Sequence, residues 1–275
     1  MNPVQFFDNL WQDYISITPQ AEVIRKVFAA PEESANGEVI NDHVAFRTFA
    51  HTPLQLDNLE PLVLAMGYSL QDEYNFTAKK LRARSYIHPD TSVPKIFISE
   101  LLTEQLSEAA QKILAKYTAE ITDKPADQSV FWSACHWSAP SFEDYKTLMQ
   151  ETEYGAWLLA IGIRVNHFTV SINHLNGVEG QEATTQIQRV LDRVKESGYA
   201  VNTVGGEVKG TPEALLEQGS TMADRQQIEF AGGERHEIPT CFYEFALRYP
   251  NAEGEVYQGF IEANADKIFE STNAA

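Results

Sequence analysis

Two short segments of this chain each carry one histidine in a setting that suits a metal: Asp42-His43-Val44-Ala45-Phe46-Arg47 and Val165-Asn166-His167-Phe168-Thr169-Val170. Side chains alternate between the faces of a strand, so His43, Ala45 and Arg47 share one face, and His167 shares a face with Thr169 and Ser171. By the same parity the stretch Thr240 to Arg248 sets Glu244 beside Phe242, Ala246 and Arg248. A carboxylate in so apolar a strand is costly to bury without a cation, either a metal or an arginine. His43, His167 and Glu244 from three strands would form a facial triad. Such a triad leaves positions open on the metal and suits non-haem Fe(II) with an oxo acid and dioxygen. The competing readings are hydrogen-bonded structural histidines and a salt bridge from Glu244 to Arg47 or Arg248.

Other residues gather around this set. Arg47 lies roughly 13 Å along the strand from His43 at ~3.3 Å per residue. From there its side chain can clamp the far carboxylate of a small metal-bound diacid, or pair with a local acid. Glu100 reads as the counterpart of Glu244, hence a fourth ligand, a supporting group, or a solvated strand end. Gly219-Ser220-Thr221-Met222-Ala223 offers the hydroxyls of Ser220 and Thr221 to a substrate, or is a bend. His51, His88, His136, His174 and His236 fall near turns and read as surface or structural residues. The run Gly205 to Gly210 lacks the ending of a phosphate loop. With no GxSxG elbow, nucleophilic hydrolysis is disfavoured.

The elements that must position these groups form two similar successions. Residues 4–29 predict two helices broken at Thr18-Pro19, where Pro suits a first helical turn. A first module over 40–102 reads β-α-β-β-β: a strand at 43–49, a helix at 56–66 closed by Gly67, strands at 68–74 and 80–87, and a strand at 94–101. Residues 103–160 read as an inserted helical layer. A second module over 161–250 repeats the order: a strand at 164–172, a helix at about 180–197 and a strand at about 199–204. A strand near 227–230 and one at 240–248 complete it. Residues 251–275 form a C-terminal segment. The expected class is α+β, one catalytic domain of two modules, with pseudo-symmetry bringing both histidines to a shared centre.

The 275 residues allow a substantial core. A net charge of −18, with no basic run, argues against nucleic acid as a partner. Cys135 and Cys241 are far apart and make no thiolate metal site. No signal-peptide pattern and no membrane-length apolar run is visible, so the expectation is a cytoplasmic protein.

Beyond these patterns, the chain resembles the 2-oxoadipate dioxygenase/decarboxylase (hydroxyglutarate synthase) family. The matching segments are Asn41 to Arg47, Pro94 to Leu101, Val165 to Thr169, Gln218 to Ala223 and Ile238 to Phe245. The resemblance implies a vicinal-oxygen-chelate-like half-barrel and Fe(II) held by His43, His167 and Glu244, other divalent metals remaining open. It also implies that Arg47 binds substrate and that 2-oxoadipate and dioxygen become 2-hydroxyglutarate and carbon dioxide. The chain is shorter than the long members of the family, so metal binding carries over better than substrate identity. A glyoxalase-like lyase or isomerase and a metal-free binding module are the alternatives.

Overall fold

In the computed structural model, which describes residues 1–34, 36–176 and 183–272, Asn41–Phe49 (β1) and Val165–Ser171 (β5) lie antiparallel at the centre of one sheet. Their register pairs His43 with Thr169, Val44 with Phe168 and Ala45 with His167. A twofold through Val44 and Phe168 therefore exchanges the two histidines and keeps both on one face.

Each central strand heads a module. After β1 come Leu56–Leu64 (α3, following the N-terminal helices α1 Pro3–Ile17 and α2 Pro19–Phe28), Ser69–Phe76 (β2), Leu81–Ile87 (β3) and Lys95–Leu101 (β4). The inserted layer is Glu108–Thr118 (α4), Phe142–Met149 (α5) and Glu153–Ile161 (α6). After β5 come Ala183–Glu196 (α7), Lys209–Thr211 (β6), Leu216–Ser220 (β7), a hairpin of Arg225–Glu229 (β8) and Arg235–Pro239 (β9), and Phe242–Arg248 (β10). Residues 180–182 of the expected helix lie outside the described residues. The eight strands run β2-β3-β4-β1-β5-β10-β7-β6 and curl into a half-barrel. β4 and β10 each pair in parallel with their module's first strand, so the halves match strand for strand.

Two expectations for the second module need correction. Residues 199–204 form no strand and touch the sheet at a single bridge, Val201 to Thr221. The strand near 227–230 is β8, which pairs with β9 in a separate two-stranded ribbon. The sheet positions go instead to the three-residue β6 and to β7, whose Leu-Glu-Gln-Gly-Ser has one large apolar residue. That pattern carries little strand signal because its polar side chains serve the interior.

Aromatic rings seal the outer face. Phe168 packs edge-on against Trp11 of α1 at 5.1 Å, and Phe28 of α2 meets Phe245 at 5.5 Å. The concave face is closed by the C-terminal segment, through Glu262–Ile268 (α8) and a 3-10 turn at Phe269–Thr272. Both faces of β1 and β5 are thereby buried, which is why these strands tolerate so little exposed polarity.

Candidate metal centre

Strand parity delivers His43, His167 and Glu244 to the concave face, all three buried. Glu244 pairs with Thr169, two positions along from the Phe242–His167 pair, so its carboxylate rises between the imidazoles. Glu244 Oε1 lies 3.5 Å from His43 Nε2, and Oε2 lies 3.3 Å from His167 Nε2. One donor atom from each residue falls within 4.8 Å of the others. Donors about 2.0–2.2 Å from a common metal would sit about 3.0–3.6 Å apart, so the group needs little rearrangement to close on one.

The surrounding hydrogen bonds prepare the donors. Asp42 Oδ1 accepts from His43 Nδ1 at 2.7 Å, and Asn166 Oδ1 accepts from His167 Nδ1 at 3.1 Å. Both bonds fix the tautomer that leaves Nε2 with a free lone pair. Thr169 Oγ1, 3.0 Å from His43 Nε2, offers its hydroxyl to one of them. Burial lowers the pKa of both histidines, more strongly at His167, and so favours neutral imidazole. Burial pushes Glu244 up to about 8. Its Oε1 accepts from Gln218 Nε2 at 2.7 Å, whereas buried Oε2 has no hydrogen-bond partner. A carboxylate that meets one imidazole with each oxygen and has Oε2 orphaned is what a divalent cation would satisfy.

The arginines divide differently from the simplest sequence reading. Arg248 does not pair with Glu244. Its Nε and Nη2 grip both oxygens of Asp42 at 2.7 and 2.9 Å. Burial would raise the Asp42 carboxyl, but Arg248, His43 and Lys95 outweigh it and hold the group well below its usual range. Among the described residues Arg47 meets no carboxylate either. Its guanidinium carbon lies 4.7 Å from the ring centre of Trp157, 4.9 Å from Tyr154 and 5.7 Å from Phe269. One bond leaves it, from Nη2 to Thr272 Oγ1 at 3.2 Å, while buried Nε and Nη1 are unpartnered. Burial lowers its pKa to about 10. It borders a cavity of about 240 Å³ that also reaches Lys79, Lys80, Thr152 and Tyr154.

Three other candidates have their places fixed. Ser220 faces the interior, its hydroxyl 2.8 Å from Ser271 Oγ. Thr221 Oγ1 accepts the Tyr243 N–H at 3.0 Å and so serves the β7–β10 junction. Glu100 is not the counterpart of Glu244. Registering His43 on Lys95 and His167 on Phe242 makes Phe97 that counterpart. Glu100 faces the outer layer, where it accepts from Leu56 N at the start of α3 and from Arg82 Nε, both at 2.6 Å. Sequence reasoning assigns no role to Asp42 or Gln218, although Asp42 adjoins His43 in the chain, and it sets Arg248 against Glu244 rather than Asp42.

Residues 8–252 match the family described as 2-oxoadipate dioxygenase/decarboxylase. The chain belongs to that family. A chloroplastic 2-oxoadipate dioxygenase/decarboxylase of Arabidopsis thaliana is 33% identical, the match covering 94% of this chain and 74% of the relative. The rice (Oryza sativa) hydroxyglutarate synthase, solved in complex with 2-oxoadipate, superposes with a TM-score of 0.82 at 31% identity, over 98% of this chain and 91% of that one. A Shewanella frigidimarina structure described as a hydrolase gives 0.81 at 40% identity, over 95% and 98%. The fold extends to a glyoxalase-superfamily protein of Ralstonia eutropha, with a TM-score of 0.72 at 21% identity, over 91% and 83%. It is the vicinal-oxygen-chelate half-barrel. No helix of the described residues is long and apolar enough to cross a membrane.

Proposed function

We propose that this protein is an Fe(II)-dependent dioxygenase/decarboxylase that converts 2-oxoadipate and dioxygen to 2-hydroxyglutarate and carbon dioxide. The observation that carries the reading is the pairing of two unsatisfied groups in one interior. The Glu244 carboxylate faces one imidazole with each oxygen and leaves Oε2 without a hydrogen bond, and Arg47 holds two unpartnered N–H groups beside a cavity. A 2-oxo diacid answers both, with its oxo-acid end at the triad and its distal carboxylate on Arg47. Membership of the family and the ligand named for the rice structure support that substrate.

Fe(II) held by His43, His167 and Glu244 would chelate the oxo acid and supply electrons to dioxygen at the position left open. The chain's own residues do the rest. Asp42 and Asn166 hold the imidazole tautomers, and Gln218 fixes the Glu244 carboxylate. Arg47 binds and orients the distal carboxylate, and the aromatic wall of Tyr154, Trp157 and Phe269 excludes water from that contact. We assign direct substrate contact to Arg47, with Ser220 and Thr221 supporting it through the hydroxyl and backbone bonds already described. The two free cysteines suit a reducing compartment, consistent with a cytoplasmic location.

Oxygen uptake by protein loaded anaerobically with Fe(II) tests the reading against a panel of 2-oxo acids. Uptake with 2-oxoadipate, matched by 2-hydroxyglutarate formed, is expected. Uptake with a different acid alone would reject the substrate, and conversion without oxygen consumption would move the protein to a lyase or isomerase.

A further inference from the structure

The space over the triad is too small for the substrate. The cavity bounded by His43, His167 and Glu244 holds about 30 Å³, room for a water rather than a six-carbon diacid. The larger cavity at Arg47 is separate, and among the described residues Phe269 lines both. Its ring sits at 5.6 Å from that of Phe76 and 6.4 Å from that of Tyr154, with the Arg47 guanidinium on its face.

The backbone around Phe269 is tied down. Asn264 Nδ2 donates to Gln218 Oε1 at 3.1 Å, and Asn202 Nδ2 donates to Lys267 O at 3.0 Å and to Ser271 Oγ at 2.9 Å. Ala223 N donates to Ser271 O at 2.9 Å, and Lys79 Nζ meets Glu270 Oε1 at 2.7 Å. Anchors therefore lie on both sides of the ring. Joining the cavities by peeling the segment away would break all of them, whereas rotating one side chain breaks none.

We propose that Phe269 is a side-chain gate between the metal cavity and the Arg47 cavity, and that every oxo acid must displace its ring to reach both. This rests on the proposed function of the same site. An acid with a distal carboxylate replaces the ring's contact with Arg47 by charge-assisted hydrogen bonds to Nε and Nη1, so it offsets the cost of turning the ring. An acid of equal length without that carboxylate, such as 2-oxohexanoate, displaces the ring and gives Arg47 nothing in return. The closed gate weakens both acids alike, and Arg47 supplies the discrimination between them.

The test uses protein loaded with Co(II) under anaerobic conditions, with no turnover. It follows metal extraction by pyridine-2,6-dicarboxylate, and binding of 2-oxoadipate and 2-oxohexanoate through the cobalt absorption bands. The Phe269→Ala variant is expected to lose metal about tenfold faster than wild type, and to bind 2-oxoadipate and 2-oxohexanoate each more tightly by a similar factor, the scale of one desolvated cation–π contact. Phe269→Leu keeps the packing volume and should fall between the two, which separates gating from collapse of the segment. Extraction rates and acid affinities unchanged in both variants would overturn the gate while leaving the metal site standing. Failure of the wild type to bind Co(II) would overturn the metal site and the gate together.

Discussion

Asp42 stands directly behind His43, its Oδ1 2.7 Å from Nδ1, and Arg248 grips the same carboxylate from the other side. His167 is backed only by the neutral amide of Asn166. An anionic acceptor raises the donor strength of an imidazole more than a neutral one, and such partners typically change metal affinity 10- to 100-fold. Asp42→Asn is therefore expected to weaken divalent metal binding by about that factor, and Asn166→Ala by less. Removing the charge also leaves buried Arg248 uncompensated, at a cost on the order of 3 kcal/mol. Chelator competition and thermal denaturation read the two effects separately. Equal losses for both variants would show that the charge on Asp42 is immaterial.

Arg47 predicts a trade of stability for function. Its guanidinium is buried with two N–H groups unpartnered, an arrangement that destabilises the ligand-free protein. Arg47→Met keeps much of the volume and removes the charge, so the ligand-free variant should melt about 2–4 °C higher. The same change should cut kcat/KM for 2-oxoadipate about 10- to 100-fold, the worth of a charge-assisted pair. A variant that melts lower and keeps its kcat/KM would mean that the guanidinium is a packing element.

The sequence made His43, His167 and Glu244 legible because strand parity is local. Once three strands are recognised, which residues share a face follows from counting. Arg47 was legible for the same reason, being two pairs of residues beyond His43. The equivalence of Glu100 with Glu244 failed because it depends on register between strands, and register is set by pairing far along the chain; one slipped position moves a side chain to the other face. β7 escaped notice because Gln218 and Ser220 are chosen for the site rather than for strand propensity. Phe260, whose ring lies 4.8 Å from that of His43, and Phe269 both fall beyond the modules, and no local pattern says that their segment folds back over the triad.

Metal uptake should itself be pH-dependent. With the histidines held largely neutral, the proton to be displaced is the one on Glu244, whose pKa burial pushes up to about 8. Affinity for Zn(II) or Co(II) is expected to rise about tenfold per pH unit from roughly pH 6 to 8 and then level off, with about one proton released per metal. Calorimetry in buffers of different ionisation enthalpy counts that proton. His43→Ala or His167→Ala should abolish tight binding at every pH, and retention of metal by either variant would dismantle the triad.

The same carboxyl makes the metal-free fold sensitive to base. A folded-state pKa of about 8 against an ordinary 4.5 means that the folded protein keeps a proton the unfolded chain has lost. Stability contributed by that proton is fully present below about pH 4.5 and declines as pH rises through 8, by a few kcal/mol at most. Glu244→Gln keeps the shape and the contact from Gln218 while removing the ionisation. The metal-free variant should therefore match wild type near pH 5 and exceed it above pH 8, in urea melts performed with chelator present. Added Zn(II) should reverse the order, because wild type gains binding energy that the amide, lacking an anionic oxygen, cannot supply. A wild type that loses no stability relative to Glu244→Gln between pH 5 and 9 would show that another group neutralises Glu244, and the case for a cation between the two histidines would lose its strongest support.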